Sequence, residues 1–176
     1  MDKVNLFPDK NFWNGKNVFI TGHSGFKGGW LSLWLSQLGA NVTGYSLEPN
    51  TDPSFYNACD IGSVTNSIFG NILDYKKLES SIINAKPEII IHMAAQALVL
   101  ESYKNPLDTY KTNIIGTLNI LEIIRNKSYV QAFINVTSDK CYENIEKQYS
   151  YKETDRMGGH DPYSSSKGCS ELVTSA

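Results

Sequence analysis

Thr21-Gly22-His23-Ser24-Gly25-Phe26-Lys27-Gly28 is the stretch from which the fold can be read. Before it lies Asn17-Val18-Phe19-Ile20, a short apolar run of strand length, rich in β-formers. After it, from Trp30 to Leu38, apolar residues recur at helical spacing until Gly39 stops the pattern. Strand, glycine turn and helix are together the context that a dinucleotide-binding loop requires. Gly22 allows the tight turn, Gly25 lets the backbone approach a pyrophosphate, and Gly28 lets helix and sheet close on each other. The free N–H groups at the helix start face the anion, with Ser24, Phe26 and Lys27 as the loop's other expected cofactor contacts. Three glycines alone are a weak signal, and the flanking strand and helix make this one strong.

Outward from the loop, the second strand is Asn41 to Ser46, followed by a Pro- and Asn-containing loop from Leu47 to Pro53. Residues 63–73 read as a weak third strand, and 75–85 as a helix through Leu78, Ile82 and Ile83. Pro87 to Met93 is a continuous apolar run, as expected for a central parallel strand covered on both faces. A long helix is predicted over 107–125, with apolar positions Tyr110, Ile114, Ile115, Leu118, Leu121 and Ile124. Val130 to Val136 is the fifth strand, 143–158 a polar loop, and 163–176 a helix. Residues 1–16 read as a surface arm. Strands alternating with helices make right-handed βαβ units, so the expected fold is α/β: a doubly wound, Rossmann-type parallel sheet with helices on both faces.

The 176 residues suit one domain, and 41% hydrophobic with 19% charged residues describes an ordinary globular chain. A net charge of −2 gives no reason to expect nucleic acid or an anionic membrane as partner. Residues 1–16 lack the apolar core of a signal peptide and no run approaches a membrane span, so a cytoplasmic location is expected. Cys59, Cys141 and Cys169 are odd in number and widely spaced, against a disulfide framework or a four-Cys zinc site. The sequence stops inside a predicted helix without a cap signal. Residues 1–176 are therefore expected to be an incomplete dinucleotide-binding domain that stops short of a substrate-binding part.

Two further patterns carry chemistry. Tyr163 and Lys167 are spaced Tyr-x-x-x-Lys, which on a helix puts them one turn apart on one face. An ammonium there favours the phenolate, and such a tyrosine can take a proton from a hydroxyl while hydride leaves the same carbon. At the end of the fifth strand stand Thr137-Ser138-Asp139-Lys140, where an open parallel sheet presents side chains to its ligand. Read alone, Asp139 and Lys140 would be an exposed turn ion pair. Ser46 ends the second strand, where dinucleotide folds usually carry an acid on the ribose hydroxyls. Between Lys16 and Lys76 the only Lys or Arg is Lys27, so NAD is expected rather than NADP. His92, on an apolar strand, reads as a satisfied core histidine.

The spacing Gly-x-x-Gly-x-x-Gly after Thr21, together with the Tyr-x-x-x-Lys pair, resembles the extended short-chain dehydrogenase/reductase family. Gly70-Asn71-Ile72-Leu73-Asp74 is similar to the family's Gly-Asp-Ile-Arg-Asp, which implies adenine contacts from Asn71, through its side-chain carbonyl, and from Ile72. His92-Met93-Ala94-Ala95-Gln96 resembles the family segment that admits the cofactor, and Thr112-Asn113 its Thr-Asn on the long helix, where Asn113 is a structural and proton-relay residue. Thr137 would complete the cofactor contacts. Thr-Ser-Asp-Lys-Cys-Tyr-Glu-Asn from Thr137, with Gly158-Gly159-His160-Asp161-Pro162-Tyr163-Ser164, resembles the family's 4,6-dehydratases that act on CDP-glucose.

That resemblance runs from Phe12 to Ala176 and matches only the first half of such enzymes. It implies a lyase using NAD without net consumption, on the nucleotide sugar CDP-glucose, in a homodimer or higher homo-oligomer. Tyr163 would deprotonate the C4 hydroxyl as hydride leaves, with Ser138 near the C4 oxygen and Lys167 on the nicotinamide ribose. Asp139 as acid and Lys140 as base would expel water across C5–C6, and hydride return to C6 would give CDP-4-keto-6-deoxyglucose. A lysine base works only when neutral, so its surroundings must desolvate it. The alternatives are an epimerase or a dehydratase for another nucleotide within the family, and a non-catalytic NAD-binding fragment.

Overall fold

The computed structural model describes residues 8–146 and 148–176. Its strands are β1 (Asn17–Thr21), β2 (Asn41–Ser46), β3 (Asn66–Phe69), β4 (Ile89–His92) and β5 (Ala132–Asn135). All pair in parallel in the order β3-β2-β1-β4-β5. The helices are α1 (Lys10–Trp13), α2 (Phe26–Gln37), α3 (Phe55–Ala58), α4 (Ile61–Val64), α5 (Tyr75–Ala85), α6 (Val99–Lys104), α7 (Pro106–Tyr110), α8 (Gly116–Ile124) and α9 (Pro162–Ser175). A π-turn, Lys111–Ile115, joins α7 to α8, and a 3₁₀ turn, Asp139–Cys141, follows β5. Among the described residues no helix is long and apolar enough to cross a membrane.

Both faces of the central strands are covered, which is why Val18–Ile20 of β1 and Ile89–Ile91 of β4 are apolar at consecutive rather than alternate positions. Phe19, Tyr45 and Ile90 face one core with Leu78 and Ile82 of α5 and Ile120 and Ile123 of α8. Val18, Ile20, Val42, Ile89 and Ile91 face the other with Leu35 of α2. The expected doubly wound parallel sheet is the observed one.

Four local readings differ. Of the surface arm, residues 1–7 lie outside the described residues. Lys10–Trp13 is instead a helical turn, capped by Asp9, whose Oδ1 accepts from Asn11 N at 2.8 Å, and Trp13 packs on the core. The third strand is shorter than 63–73. Residues 61–64 form α4, and Asn71 turns the chain out of the sheet as its Oδ1 accepts from Leu73 N at 2.9 Å. The strand of 130–136 pairs over Ala132–Asn135.

The long helix has the expected extent but buries a different face. Thr109, Asn113, Gly116, Thr117, Ile120 and Ile123 are buried, while Ile115 and Leu118 are 46% and 38% exposed; of the expected positions, Ile124 does pack on the core. The first part of the inward face, Thr109 to Thr117, is small and polar because it meets the serines of α9. Asn113 Nδ2 donates to Ser166 Oγ at 2.8 Å, and the Thr117 and Ser170 hydroxyls lie 3.1 Å apart. Gly116 leaves the space taken by Ile72, whose Cδ1 would stand 2.3 Å from an added Cβ.

Candidate active site

A groove of ≈ 480 Å³ opens across the carboxyl ends of all five strands. Its lining comes from Gly22 after β1, Ser46 ending β2, Gly70 after β3, Met93 to Ala95 after β4, and Val136 and Thr137 after β5. This is where an open parallel sheet binds ligands, and the size suits a cofactor. Gly22 has φ +79° and packs so tightly that an added Cβ would sit 2.8 Å from Ala94 N. At Gly28 an added Cβ would lie 2.1 Å from Gly22 O. The loop is thus drawn against the start of α2, leaving backbone and free helix N–H groups along the groove, a cradle that fits a pyrophosphate.

Of the residues expected from sequence, Gly22, Ser24, Gly25, Phe26, Lys27, Gly28, Ser46, Asn71, Ile72, Ala94, Ala95, Thr112, Thr137, Tyr163 and Lys167 line this groove. Several of their polar atoms are already engaged. Ser24 Oγ donates to Leu47 O at 2.7 Å. Asn71 Oδ1 holds its own turn, so the carbonyl expected to face adenine already accepts a hydrogen bond.

Ser46 is engaged on two sides. Its hydroxyl donates to Leu47 O at 2.9 Å and lies 3.0 Å from His23 Nδ1, so it accepts from that ring nitrogen. His23 Nε2 then accepts from Ser67 Oγ at 3.0 Å. His23 is fully buried, and burial lowers its pKa to about 4. It occupies the space above Gly44, where an added Cβ would be 2.2 Å from the ring. The Ser46 hydroxyl expected at the ribose thus also braces the loop through His23. Glu48 and Asn50, just past β2, line the groove beside Ser46. The signal for Glu48 is in the sequence: it is the first acid after the second strand.

Gln96 and Asn113 lie outside the groove and build its wall. Asn113 is 2% exposed; its Oδ1 accepts from Gln96 N at 2.8 Å and its Nδ2 donates to Gln96 O at 3.1 Å. The Gln96 side chain closes a turn with Leu98 and donates to Thr109 Oγ1 at 2.9 Å. His92 is the satisfied core histidine that its setting implies. Thr21 Oγ1 accepts from the backbone of Met93 and Ala94, so its own proton goes to His92 Nδ1 at 2.7 Å. Nε2 then donates to Thr117 Oγ1 at 3.1 Å. Burial, and secondarily the charge of Lys167, lower the His92 pKa to about 3.

The chemical end is built by α9. Asp161 caps it, its Oδ1 accepting from Ser164 N at 2.9 Å, and Pro162 occupies the first turn. Tyr163 and Lys167 follow one turn apart, 9% and 6% exposed, both on the groove. Lys167 Nζ donates to Val136 O at 3.3 Å. Burial lowers its pKa to about 8, and the Glu171 carboxylate opposes that fall. Thr137 Oγ1 donates to Glu171, a residue that the motif reading passed over. Ser138, Asp139 and Lys140 stand beside the groove rather than in its lining. Ser138 Oγ donates to Asp139 Oδ1 at 2.9 Å, and Lys140 is exposed, not desolvated.

A phosphate cradle, an acid past β2 and a Tyr-Lys pair on one groove describe a nicotinamide dehydrogenase type of site. A family model of GDP-mannose 4,6 dehydratase matches residues 19–176. The chain belongs to that family. It is 53% identical over 168 residues to CDP-glucose 4,6-dehydratase of Salmonella typhimurium, covering 96% of this chain and 47% of that enzyme. It is 30% identical to dTDP-D-glucose 4,6-dehydratase of Dictyostelium discoideum, over 91% of this chain and 40% of that one. Among solved structures, an epimerase of Methanothermobacter thermautotrophicus superposes with TM-score 0.82 at 26% identity, over 94% of this chain and 48% of that one. A UDP-glucose 4-epimerase of Stenotrophomonas maltophila, solved with NAD and formylated UDP-arabinopyranose, gives 0.77 at 26% identity, over 91% and 48%. The chain spans about half the length of the curated family relatives it matches.

Proposed function

We propose that this chain is the cofactor-binding half of an NAD-dependent nucleotide-sugar 4,6-dehydratase acting on CDP-glucose. The observation that carries the reading is Tyr163 and Lys167 lining the same groove as the glycine cradle. The 53% identity to the Salmonella enzyme supports the substrate. The cradle left by Gly22 and Gly28 fits a pyrophosphate, Glu48 and Asn50 the adenosine ribose, and Ala94 and Ala95 admit a flat ring. NAD, when bound, supplies a hydride acceptor that later returns the hydride.

The chain's own residues move the protons. Lys167 holds a positive charge beside Tyr163, which favours the phenolate that takes the C4 hydroxyl proton. The resulting 4-ketone acidifies C5–H. Asp139, protonated, gives its proton to the departing C6 hydroxyl, and Lys140, neutral, takes the C5 proton. Lys140 is exposed in this half. Ser138 steadies the C4 oxygen.

The test uses an enzyme of the relatives' full length carrying this half. Tyr163→Phe is expected to abolish both reduction of the cofactor and formation of the 4-keto-6-deoxy product. Lys140→Met is expected to leave the C4 oxidation and slow elimination by roughly 10²–10⁴-fold, so reduced nicotinamide accumulates on the enzyme. Normal turnover at saturating substrate, with no such accumulation, would remove Lys140 from the mechanism. Product formed by Tyr163→Phe at the unaltered rate would refute the whole reading.

A further inference from the structure

Glu171 belongs to none of the motifs, yet it bonds one residue of the site and follows another along α9. It lies one turn beyond Lys167 on α9, as Lys167 lies one turn beyond Tyr163, so the three follow one another along one face. Thr137 spends its single hydroxyl proton on the Glu171 carboxylate, which leaves its lone pairs toward the groove that it lines. We propose that Glu171 is a positioning residue, whose carboxylate fixes the Thr137 hydroxyl and serves as the anionic neighbour of Lys167. The proposal rests on the reading of Tyr163 and Lys167 as the chemical pair.

The surroundings make that carboxylate matter. Lys167 is 6% exposed, and among the described residues its hydrogen-bond partner is the Val136 carbonyl. The titratable groups packed about this corner are Tyr163 on α9, His92 on β4, and Asp139, Cys141 and Tyr142 at the 3₁₀ turn after β5. His92 is neutral, and burial, with Glu171 and Asp139 adding to it, raises the Cys141 thiol. Glu171 is therefore the anion that offsets the desolvation of Lys167. Without its charge, Lys167 loses its proton at lower pH. Thr137 would at the same time be free to rotate its donor into the groove.

The experiment titrates Lys167 in the chain itself. Lysine side chains carrying ¹³C at Cε are followed by NMR against pH, with the Lys167 resonance assigned from its loss in Lys167→Gln. In Glu171→Gln, which keeps an acceptor for Thr137 but removes the charge, the Lys167 midpoint is expected to fall by about one unit or more. Glu171→Asp is expected to restore part of that shift. Thr137→Val removes the hydrogen bond without the charge, so it should lower thermal stability and leave the Lys167 midpoint in place. An unchanged midpoint in folded Glu171→Gln overturns the proposal. So does an equal fall in Thr137→Val, because the effect would then be packing. If Glu171→Gln fails to fold, the comparison is made in Glu171→Asp, whose midpoint must still fall below that of the unaltered chain. No cofactor enters this titration, so failure of NAD to bind the unaltered chain would strike the functional reading separately.

Discussion

His23 and His92 are both buried and both neutral, one bracing the glycine loop and the other tying β1 and β4 to the long helix. Burial lowers their pKa values from 6.5 to about 4 and about 3. In the unfolded chain each takes up a proton near its ordinary value, while the folded chain refuses it until much lower pH. Because the unfolded state binds more protons across that interval, stability rises with pH there and is lost on acidification from about 6.5 toward 4. Each histidine contributes at most about 1.4 kcal/mol per pH unit. Urea denaturation at pH 7, 5.5 and 4.5 reads this directly: midpoints should fall steadily, and a flat profile would contradict the neutral assignment. The same scale shows what sequence reveals about a site. Tyr163, Lys167 and the glycines were legible because spacing along one helix or loop fixes their neighbours. The tie from Ser46 to His23 was not legible, because His23 comes from another element. Glu48→Ala is accordingly expected to weaken NAD binding roughly tenfold, about 1.4 kcal/mol, by calorimetry, and Ser46→Ala less. The reverse order would restore Ser46 as the ribose ligand.

At the scale of elements, the loop between β1 and α2 is the tightest junction of the site. An added Cβ at Gly28 would meet Gly22 O at 2.1 Å, and both atoms belong to backbone that cannot swing aside. Gly28→Ala should therefore push α2 off the loop, cost about 1–3 kcal/mol or more by thermal or chemical unfolding, and abolish NAD binding. Retained binding with unchanged stability would show that the loop is slack. β1, β2, α5 and β4 were readable because apolar periodicity reports burial against a large apolar partner. The inward face of the long helix was not. It packs against serines, and the π-turn at Lys111–Ile115 shifts the register, so Asn113 and Thr117 are buried while Leu118 is 38% exposed. Short helices such as α3, α4 and α6 carry too few residues for a period, and tertiary contacts decide them.

At the scale of the whole molecule, five parallel strands converge on one groove, and its lining divides into two ends. The end beyond β1, β2 and β3 holds the cradle, Glu48 and Asn50, and the end beyond β4 and β5 holds Thr137, Tyr163 and Lys167. An elongated dinucleotide laid across the strand ends would join them, adenosine at Glu48 and nicotinamide at Tyr163. Past β2 the lining carries a carboxylate and no cation, which disfavours a 2′-phosphate; Lys27 sits at the start of α2, on the pyrophosphate side. The most direct measurement is the melting temperature of this chain with NAD and with NADP at equal concentration, because a ligand bound only to the folded state raises it by mass action. NAD should raise it, and by more than NADP does. An equal or larger rise with NADP would contradict the assignment of Glu48 and turn attention to Lys27, and no rise with either would contradict the site itself.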